Sequence, residues 1–274
     1  MKIGRIPYIN CYPVYGAIDR GIVRLDGSIV NGVPTVLNTM MQNGALDISV
    51  VSAVEYARES SRYLLLPDLA ISCDGPVQSV MLYSSRPAGE LGGRNVLVSR
   101  SSMTSVALLE LLFDEVWHAR PRFVPGDAEV GDISSMPAGV DARLVIGDAA
   151  LLLRNSPEDS NRYAYDLGAV WKDWTGLPFV FAVWVAQRSV PAADALSVHA
   201  SLLKSRDWGL QNIPVLAEQA EQATGIDRSI CVEYLSGLDY GLSYAHFAGL
   251  AEFFRRLVSR GRIPNGTLSF LPAA

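Results

Sequence analysis

Short apolar runs alternate with helix-like segments along the first 60 residues of the chain. This alternation is typical of a mostly parallel sheet whose strands are joined by right-handed helical crossovers. Proline in a first helical turn and glycine beyond the last turn mark the ends of a helix from Pro34 to about Asn43-Gly44. The other elements predicted here are strands over 2–6, 29–31 and 47–51, and helices that begin at Val14 and Val54.

The same alternation returns in the middle of the chain, between two longer apolar runs that predict strands over 76–85 and 178–187. The elements predicted between them are strands over 96–99 and 143–146 and helices over 104–115 and 149–154. Beyond the second long run the pattern is helical, with helices near 192–208, 212–223, 228–236 and 243–260.

Two long strands around a central α/β unit are the pattern of a chain that leaves one lobe, builds another and returns. We therefore predict an α/β fold with two lobes, each a mostly parallel sheet flanked by helices, with the two long strands as the hinge. The first lobe is expected to comprise 1–84 and 187–274, the second 85–186, and a ligand cleft is expected between them.

Composition narrows the class of protein. Hydrophobic residues make up 49% of the 274 residues and charged residues 19%, so the chain can fill a substantial core. A formal net charge of -5 without a basic segment argues against a nucleic-acid partner. The sequence has neither a signal-peptide pattern nor an apolar run of transmembrane length, so we expect a cytoplasmic protein without a membrane partner.

The spacing of the cysteines and histidines predicts neither a metal site nor a disulfide. The three cysteines form no CxxC pair, and the three histidines show no HxH or HExxH spacing. The chain also contains no GxSxG, no Walker loop and no GxGxxG after a strand. The cysteines are therefore expected to be small core residues.

Small polar residues follow four predicted strands, at the edge where ligands bind in parallel α/β sheets. They are Asn10, Ser52, the run Ser101-Ser102-Met103-Thr104-Ser105, and the pair Gly147-Asp148. Helix N-termini at this edge offer N–H groups that suit a carboxylate or phosphate. Four hydroxyl residues within five positions exceed what a helix cap needs, so we expect anion binding at this run.

Each of these residues also has a plain structural interpretation. The hydroxyl residues and Asp148 can be helix caps, and Asn10 can be a turn residue. Ser79, within the predicted strand 76–85, either faces a cleft or pairs across the sheet. Composition and spacing therefore predict a hinged binder of small anions and leave its reaction open.

Seven segments resemble, in order, those of the chorismate dehydratase family of the futalosine-dependent menaquinone pathway. They are RIPYINCYPVY (5–15), GVPTVLN (32–38), GALDISVVSAVEYAR (44–58), LLPDLAISCDGPVQSVMLYS (65–84), LVSRSSMTSVALLELL (97–112), LVIGDAALLL (144–153) and YDLGAVWKDWTGLPFVFAVW (165–184). The helical tail, with YLSGLDYGLS (234–243), is similar but less distinctive.

The resemblance implies a type II periplasmic-binding-protein fold and a carbon–oxygen lyase (hydro-lyase) that needs no metal or organic cofactor. The reaction is elimination of water from the dianion chorismate, giving 3-[(1-carboxyvinyl)oxy]benzoate. Asn10 matches the family's active-site asparagine and is expected to hydrogen-bond the substrate, because an amide is a poor base. A carboxylate of the substrate is expected to accept the ring proton. Asp148 either hydrogen-bonds the leaving hydroxyl or caps its helix. The expected substrate-binding residues are Ser52, Ser79, Ser101, Ser102, Thr104, Ser105 and Gly147.

Three other functions stay open. The first is 1,4-dihydroxy-6-naphthoate synthase of the same pathway and fold, although PYINCYP and SSMTS are closer to the dehydratase. The second is a solute-binding protein without chemistry, against which the missing signal sequence argues. The third is a regulatory ligand-binding domain, for which no DNA-binding segment is evident. We expect a monomer or a weak homodimer.

Overall fold

The chain forms two units, and the computed structural model describes residues 1–126, 136–154 and 163–272. Unit 1 comprises Met1–Ser72 and Val180–Ala274, and unit 2 comprises Cys73–Phe179. In the described residues, each unit is built on one five-stranded sheet with helices beside it. No helix in these ranges is long and apolar enough to cross a membrane.

Unit 1 begins with the strand and helix alternation that the sequence predicts. Its first elements are β1 (Lys2–Arg5), a 3₁₀ turn (Ile9–Cys11), α1 (Tyr12–Asp19), β2 (Ser28–Asn31), α2 (Pro34–Gln42), β3 (Ile48–Ser52), α3 (Ala53–Arg58) and β4 (Tyr63–Cys73). Gly44, at φ 68°, follows the end of α2 as expected. The 11-residue strand β4 was not predicted, because Pro67 and Asp68 interrupt its apolar pattern; Asp68 has φ 52°.

Unit 2 contains the predicted central elements together with a 3₁₀ turn, two strands and a helix that were not predicted. Its elements are β5 (Val80–Ser84), a 3₁₀ turn (Ala88–Glu90), β6 (Asn95–Ser99), α4 (Met103–Glu115), β7 (Arg122–Gly126), β8 (Ala142–Ile146), α5 (Asp148–Arg154), β9 (Tyr163–Asp166) and α6 (Leu167–Thr175). The sequence predicts β6, α4, β8 and α5 within one residue of these bounds. It does not predict β7, β9 or α6.

The chain then returns to unit 1. The elements of this part are β10 (Phe179–Gln187), α7 (Ala192–Gln211), α8 (Ile213–Thr224), α9 (Arg228–Gly237) and α10 (Tyr244–Ser259). All four helices predicted for the C-terminal part are confirmed.

Both sheets are mixed, whereas the sequence analysis expected mostly parallel ones. The strand orders are β2-β1-β3-β10-β4 in unit 1 and β7-β6-β8-β5-β9 in unit 2. In unit 1, β1 runs parallel to β2 and β3, but β10 runs antiparallel to β3. In unit 2, β6 is parallel to β7 and β8, whereas β5 is antiparallel to β8 and β9. The antiparallel strands are those by which the chain enters each unit, so no right-handed crossover fixes their direction.

The unit boundaries differ from the expected ones, which lay after residues 84 and 186. They lie after residues 72 and 179, because the two long strands belong to the sheets with which they pair. β5 pairs with β8 and β9, so it belongs to unit 2 rather than to the first lobe. β10 pairs with β3, so it belongs to unit 1. Both strands expected to form the hinge therefore pair within a sheet, and their role as a hinge stays a prediction.

Close packing fixes α1 on the core of unit 1. Gly209 of α7 lies against the backbone of Pro13, and Ser205, one turn earlier in α7, accepts a hydrogen bond from the Ala17 N–H at 3.2 Å. On the sheet side, Trp184 of β10 donates its indole N–H to the Tyr15 hydroxyl at 3.1 Å. These contacts hold α1, which begins two residues after Asn10.

Candidate functional site

In unit 1 the expected residues Asn10 and Ser52 lie at the carboxyl ends of neighbouring parallel strands. β1 pairs with β3 in register, with Ile3 opposite Ile48, so the carboxyl ends of both strands share one edge of the sheet. Asn10 lies in the 3₁₀ turn after β1, and Ser52 is the last residue of β3. The structure therefore places both residues beyond the strand ends predicted from the sequence.

Asn10 is not a helix cap. The residue that precedes α1 is Cys11, and no side chain caps that helix. The Oδ1 atom of Asn10 is buried and has no hydrogen-bond partner in the described part of the chain. A buried acceptor left unpaired costs about 1–3 kcal/mol, so this amide oxygen requires a donor from a ligand or a water molecule.

Ser52 does cap a helix, as its plain structural interpretation predicted. Its buried hydroxyl oxygen accepts the Glu55 N–H at 3.1 Å at the start of α3. The Glu55 carboxylate is also buried and accepts hydrogen bonds from Gln42 at 3.0 Å and from the Tyr63 hydroxyl at 3.3 Å. Burial raises the pKa of Glu55. These bonds tie α2, α3 and β4 together behind Ser52.

Asn38 is a polar residue that the sequence analysis did not assign. It lies on α2 within the segment GVPTVLN and is only 3% exposed. Its Oδ1 and Nδ2 atoms are both buried without a partner among the described residues. The buried positions of α2 are Pro34, Leu37, Asn38 and Met41, so Asn38 stands where the helical period requires an apolar residue. A polar residue at an apolar position of the helical pattern is visible in the sequence and could have identified Asn38.

In unit 2 the remaining expected residues also gather at one sheet edge. β6 and β8 are parallel neighbours, and β5 starts beside the end of β8, with Val80 opposite Ile146. Ser79 lies just before β5 rather than within it, and its carbonyl accepts the Gly147 N–H at 2.8 Å. Ser79 is 3% exposed, and Gly147 has φ 64°, which favours glycine.

The hydroxyl run before α4 is partly used by the helix itself. Ser102 is the N-cap: it accepts the Ser105 N–H at 3.3 Å and donates to the Ser105 hydroxyl at 2.8 Å. The Ser101 N–H donates to Ser99 Oγ at 2.9 Å, and the Thr104 side chain is 1% exposed. The capping alternative is thus confirmed for Ser102, and anion binding at this run stays a prediction.

Asp148 is the first residue of α5, a helix of seven residues. Its carboxylate lies in the first helical turn, where negative charge is favoured by the helix dipole. The two roles expected for Asp148, a hydrogen bond to the leaving hydroxyl and a helix cap, both stay predictions. Within the described ranges, no three histidine, cysteine, aspartate or glutamate side chains form a group suited to a metal ion.

Asp166 positions the segment that carries Ser79, and the sequence analysis missed it. Its carboxylate caps α6 through the N–H groups of Gly168 at 2.9 Å and Ala169 at 3.1 Å. The same carboxylate accepts the Val77 N–H at 3.0 Å and the Gln78 N–H at 2.6 Å. One side chain therefore fixes both a helix start and the two residues before Ser79.

Relatives of known name support a function in menaquinone biosynthesis. The family model described as menaquinone biosynthesis matches residues 1–259. A chorismate dehydratase from Thermus thermophilus is 31% identical over 267 residues, which cover 92% of this chain and 95% of that protein. A 1,4-dihydroxy-6-naphtoate synthase from Streptomyces coelicolor is 27% identical over 250 residues, covering 84% and 82% of the two chains.

Solved structures confirm the expected fold. A protein from Archaeoglobus fulgidus matches with a TM-score of 0.79 at 18% identity, covering 96% of this chain and 98% of that one. The alkanesulfonate-binding protein SsuA from Xanthomonas axonopodis pv. citri matches with a TM-score of 0.67 at 12% identity, covering 98% and 95%. The fold is therefore that of a periplasmic-binding-protein-like α/β protein.

Proposed function

The chain belongs to the menaquinone biosynthesis family, and on that premise we propose that it is a chorismate dehydratase. The reaction removes water from chorismate to give 3-[(1-carboxyvinyl)oxy]benzoate, which makes the enzyme a hydro-lyase. The observation that carries this proposal is the buried, unpaired Oδ1 atom of Asn10 in the segment PYINCYP. An acceptor of this kind suits a substrate that presents a hydroxyl group.

Asn10 acts in this proposal by orientation. Its amide oxygen accepts a hydrogen bond from the ring hydroxyl of chorismate and so fixes the group that leaves. An amide is too weak a base to take the ring proton, so a carboxylate of the substrate takes it. The C–H electron pair forms the new double bond, the C–O bond breaks, and the hydroxyl leaves as water with the proton that the carboxylate took. The ring becomes aromatic, which drives the reaction forward.

Other residues of the site bind the dianion. We assign the substrate carboxylates to the hydroxyl groups of Ser52 and Ser79 and to the run 101–105, where the N-terminal end of the 13-residue helix α4 favours negative charge. Asn38 belongs to the same set, because its buried amide has both a donor and an acceptor without partners in the described residues. Ligand binding at these residues of each unit stays a prediction.

A second candidate is 1,4-dihydroxy-6-naphthoate synthase. The relative of that name from Streptomyces coelicolor, 27% identical over 250 residues, favours it. The two reactions use different substrates, so one assay separates them. Binding without turnover would instead support a small-anion binding protein.

The test is incubation of the purified protein with chorismate, followed by mass spectrometry and ultraviolet absorbance. We expect loss of one water and appearance of a benzoate chromophore. Asn10→Ala should then lower kcat/KM by about 10- to 100-fold, the value of a hydrogen bond to the reacting group. Asn43→Ala is the matched control, because Asn43 is exposed and follows the end of α2. Intact chorismate after incubation with folded protein would reject the dehydratase.

The source of the base has its own test. If a substrate carboxylate takes the ring proton, a chorismate analogue without the enolpyruvyl carboxylate should not be turned over. Turnover of that analogue would contradict the proposed base and leave the dehydratase reaction intact.

A further inference from the structure

Tyr240 lies in the segment between α9 and α10, within the tail sequence YLSGLDYGLS. Backbone hydrogen bonds attach this segment to the last part of β4. Ser72 and Asp239 exchange two bonds of 2.9 Å, and the Ala70 N–H donates to the Tyr240 carbonyl at 3.1 Å. The Tyr240 side chain is held on this edge and is 2% exposed.

The hydroxyl group of Tyr240 is buried and has no hydrogen-bond partner among the residues that the structure describes. A phenylalanine would fill the same space without leaving a polar atom unpaired, and such an atom costs about as much as a lost hydrogen bond. Packing therefore accounts for an aromatic ring at position 240, but it does not account for the hydroxyl group.

Tyr240 also lies close to the turn that carries Asn10. Burial raises the pKa of Tyr240 well above its ordinary value, and Tyr234 and Cys11 raise it further. Cys11 directly follows Asn10 in the 3₁₀ turn after β1. The phenol is thus neutral over the physiological range, so its O–H is available as a donor, whereas the amide oxygen of Asn10 can only accept.

We propose that the Tyr240 hydroxyl donates a hydrogen bond to a carboxylate oxygen of the bound substrate, in the same site as Asn10. This inference rests on the proposed function and adds a residue from the C-terminal part of the chain to it. Asn10 then accepts a hydrogen bond from the substrate hydroxyl, and Tyr240 donates one to a carboxylate. The two residues therefore distinguish the polar groups of chorismate.

The test compares Tyr240→Phe with Tyr56→Phe. Tyr56 is a buried tyrosine of the same unit whose hydroxyl has partners: it donates to the Thr267 carbonyl at 3.0 Å and accepts the Ser269 N–H at 2.7 Å. Steady-state kinetics with chorismate and the melting temperature are measured for both variants and for the wild type.

We expect Tyr240→Phe to lower kcat/KM by about 10- to 100-fold, because a hydrogen bond to a charged group is lost. The change should lie mainly in KM, since a carboxylate away from the reacting atoms is held equally in the ground and transition states. Its melting temperature should equal or exceed that of the wild type. Tyr56→Phe should do the reverse, lowering the melting temperature and leaving KM unchanged.

Two results would overturn the inference in different ways. An unchanged KM in Tyr240→Phe, with a lowered melting temperature, would mean that the hydroxyl bonds an internal water and not the substrate. Wild-type protein that neither binds nor converts chorismate would reject the proposed function, and the inference with it. The first result leaves the dehydratase proposal standing, so the two failures are distinguishable.

Discussion

Gly209 allows α7 to approach α1 at the residues that follow Asn10, and its replacement by alanine tests how tightly this contact is built. A Cβ atom at position 209 would lie 2.3 Å from the Pro13 carbonyl oxygen, 2.5 Å from its Cα and 2.7 Å from its carbonyl carbon. Real Cβ contacts are essentially never shorter than 3.0 Å. All three contacts are with backbone, which cannot rotate away as a flexible side chain can.

Two effects of opposite sign set the magnitude. Alanine in a helix interior is favoured over glycine by about 1 kcal/mol. Overpacking of a buried contact costs about 1–3 kcal/mol, and a clash with three backbone atoms belongs at the upper end of that range. The clash therefore dominates, and we expect Gly209→Ala to lower the free energy of unfolding by about 1–2 kcal/mol.

The same displacement should reach the site. Pro13 lies in the first turn of α1, three residues after Asn10, so a shift of its backbone moves the 3₁₀ turn. A misplacement of about 1 Å can reduce a catalytic rate about 100-fold. We therefore expect Gly209→Ala to lower kcat/KM for chorismate at temperatures at which the variant is still folded.

Urea denaturation and steady-state kinetics measure the two effects. Gly92→Ala is the control, because Gly92 is exposed and an added Cβ would meet no atom within 4 Å. If Gly209→Ala were as stable as the wild type or more stable, helix propensity would dominate, and the reasoning from the Pro13 contact would be wrong.

Three further predictions concern hydrogen bonds and pH. Asp166→Asn should destabilise unit 2 by about 1–3 kcal/mol, because charge-assisted bonds to four N–H groups weaken. It should also raise KM, because two of these bonds position the residues before Ser79. Urea midpoints and kinetics check both effects, and unchanged values for both would contradict the prediction. Burial lowers the pKa of His199, so the native state resists protonation and the free energy of unfolding should fall as pH drops below about 6.5. Urea denaturation of His199→Gln should show a smaller loss of stability between pH 7.5 and 5. Burial raises the pKa of Glu55, so its contribution should be lost as pH rises from about 4.3 through the folded pKa. Glu55→Gln should remove that loss, and an unaltered pH profile would show that Gln42 and its neighbours compensate the charge fully.

Local sequence determined the elements whose signals lie within a few residues. Proline and glycine fixed the ends of α2, and the hydroxyl residues at 102 and 105 formed the cap of α4. The apolar run predicted as a strand over 47–51 became the fully buried strand Ile48–Ser52. These features depend on backbone conformation and on neighbouring side chains, which a sequence displays directly. The blocks quoted for the family likewise indicated the fold and the pathway.

Strand pairing was decided only by the tertiary structure. The apolar runs of β5 and β10 predicted buried strands, but an apolar run does not reveal which strand lies beside it or in which direction. Pairing with β8 and β9, and with β3, moved these strands into the opposite units from those expected.

The polar residues of the proposed site divide in the same way. The positions of Asn10, in the turn after β1, and of Ser52, at the end of β3, could be predicted from local patterns. Tyr240 and Asp166 could not be predicted. Tyr240 is distinguished by a hydroxyl group without a hydrogen-bond partner among the described residues. Asp166 is distinguished by bonds to N–H groups up to 89 residues away in the sequence. Whether a buried polar atom is paired depends on groups distant in sequence, and only the folded chain brings those groups together or leaves them apart.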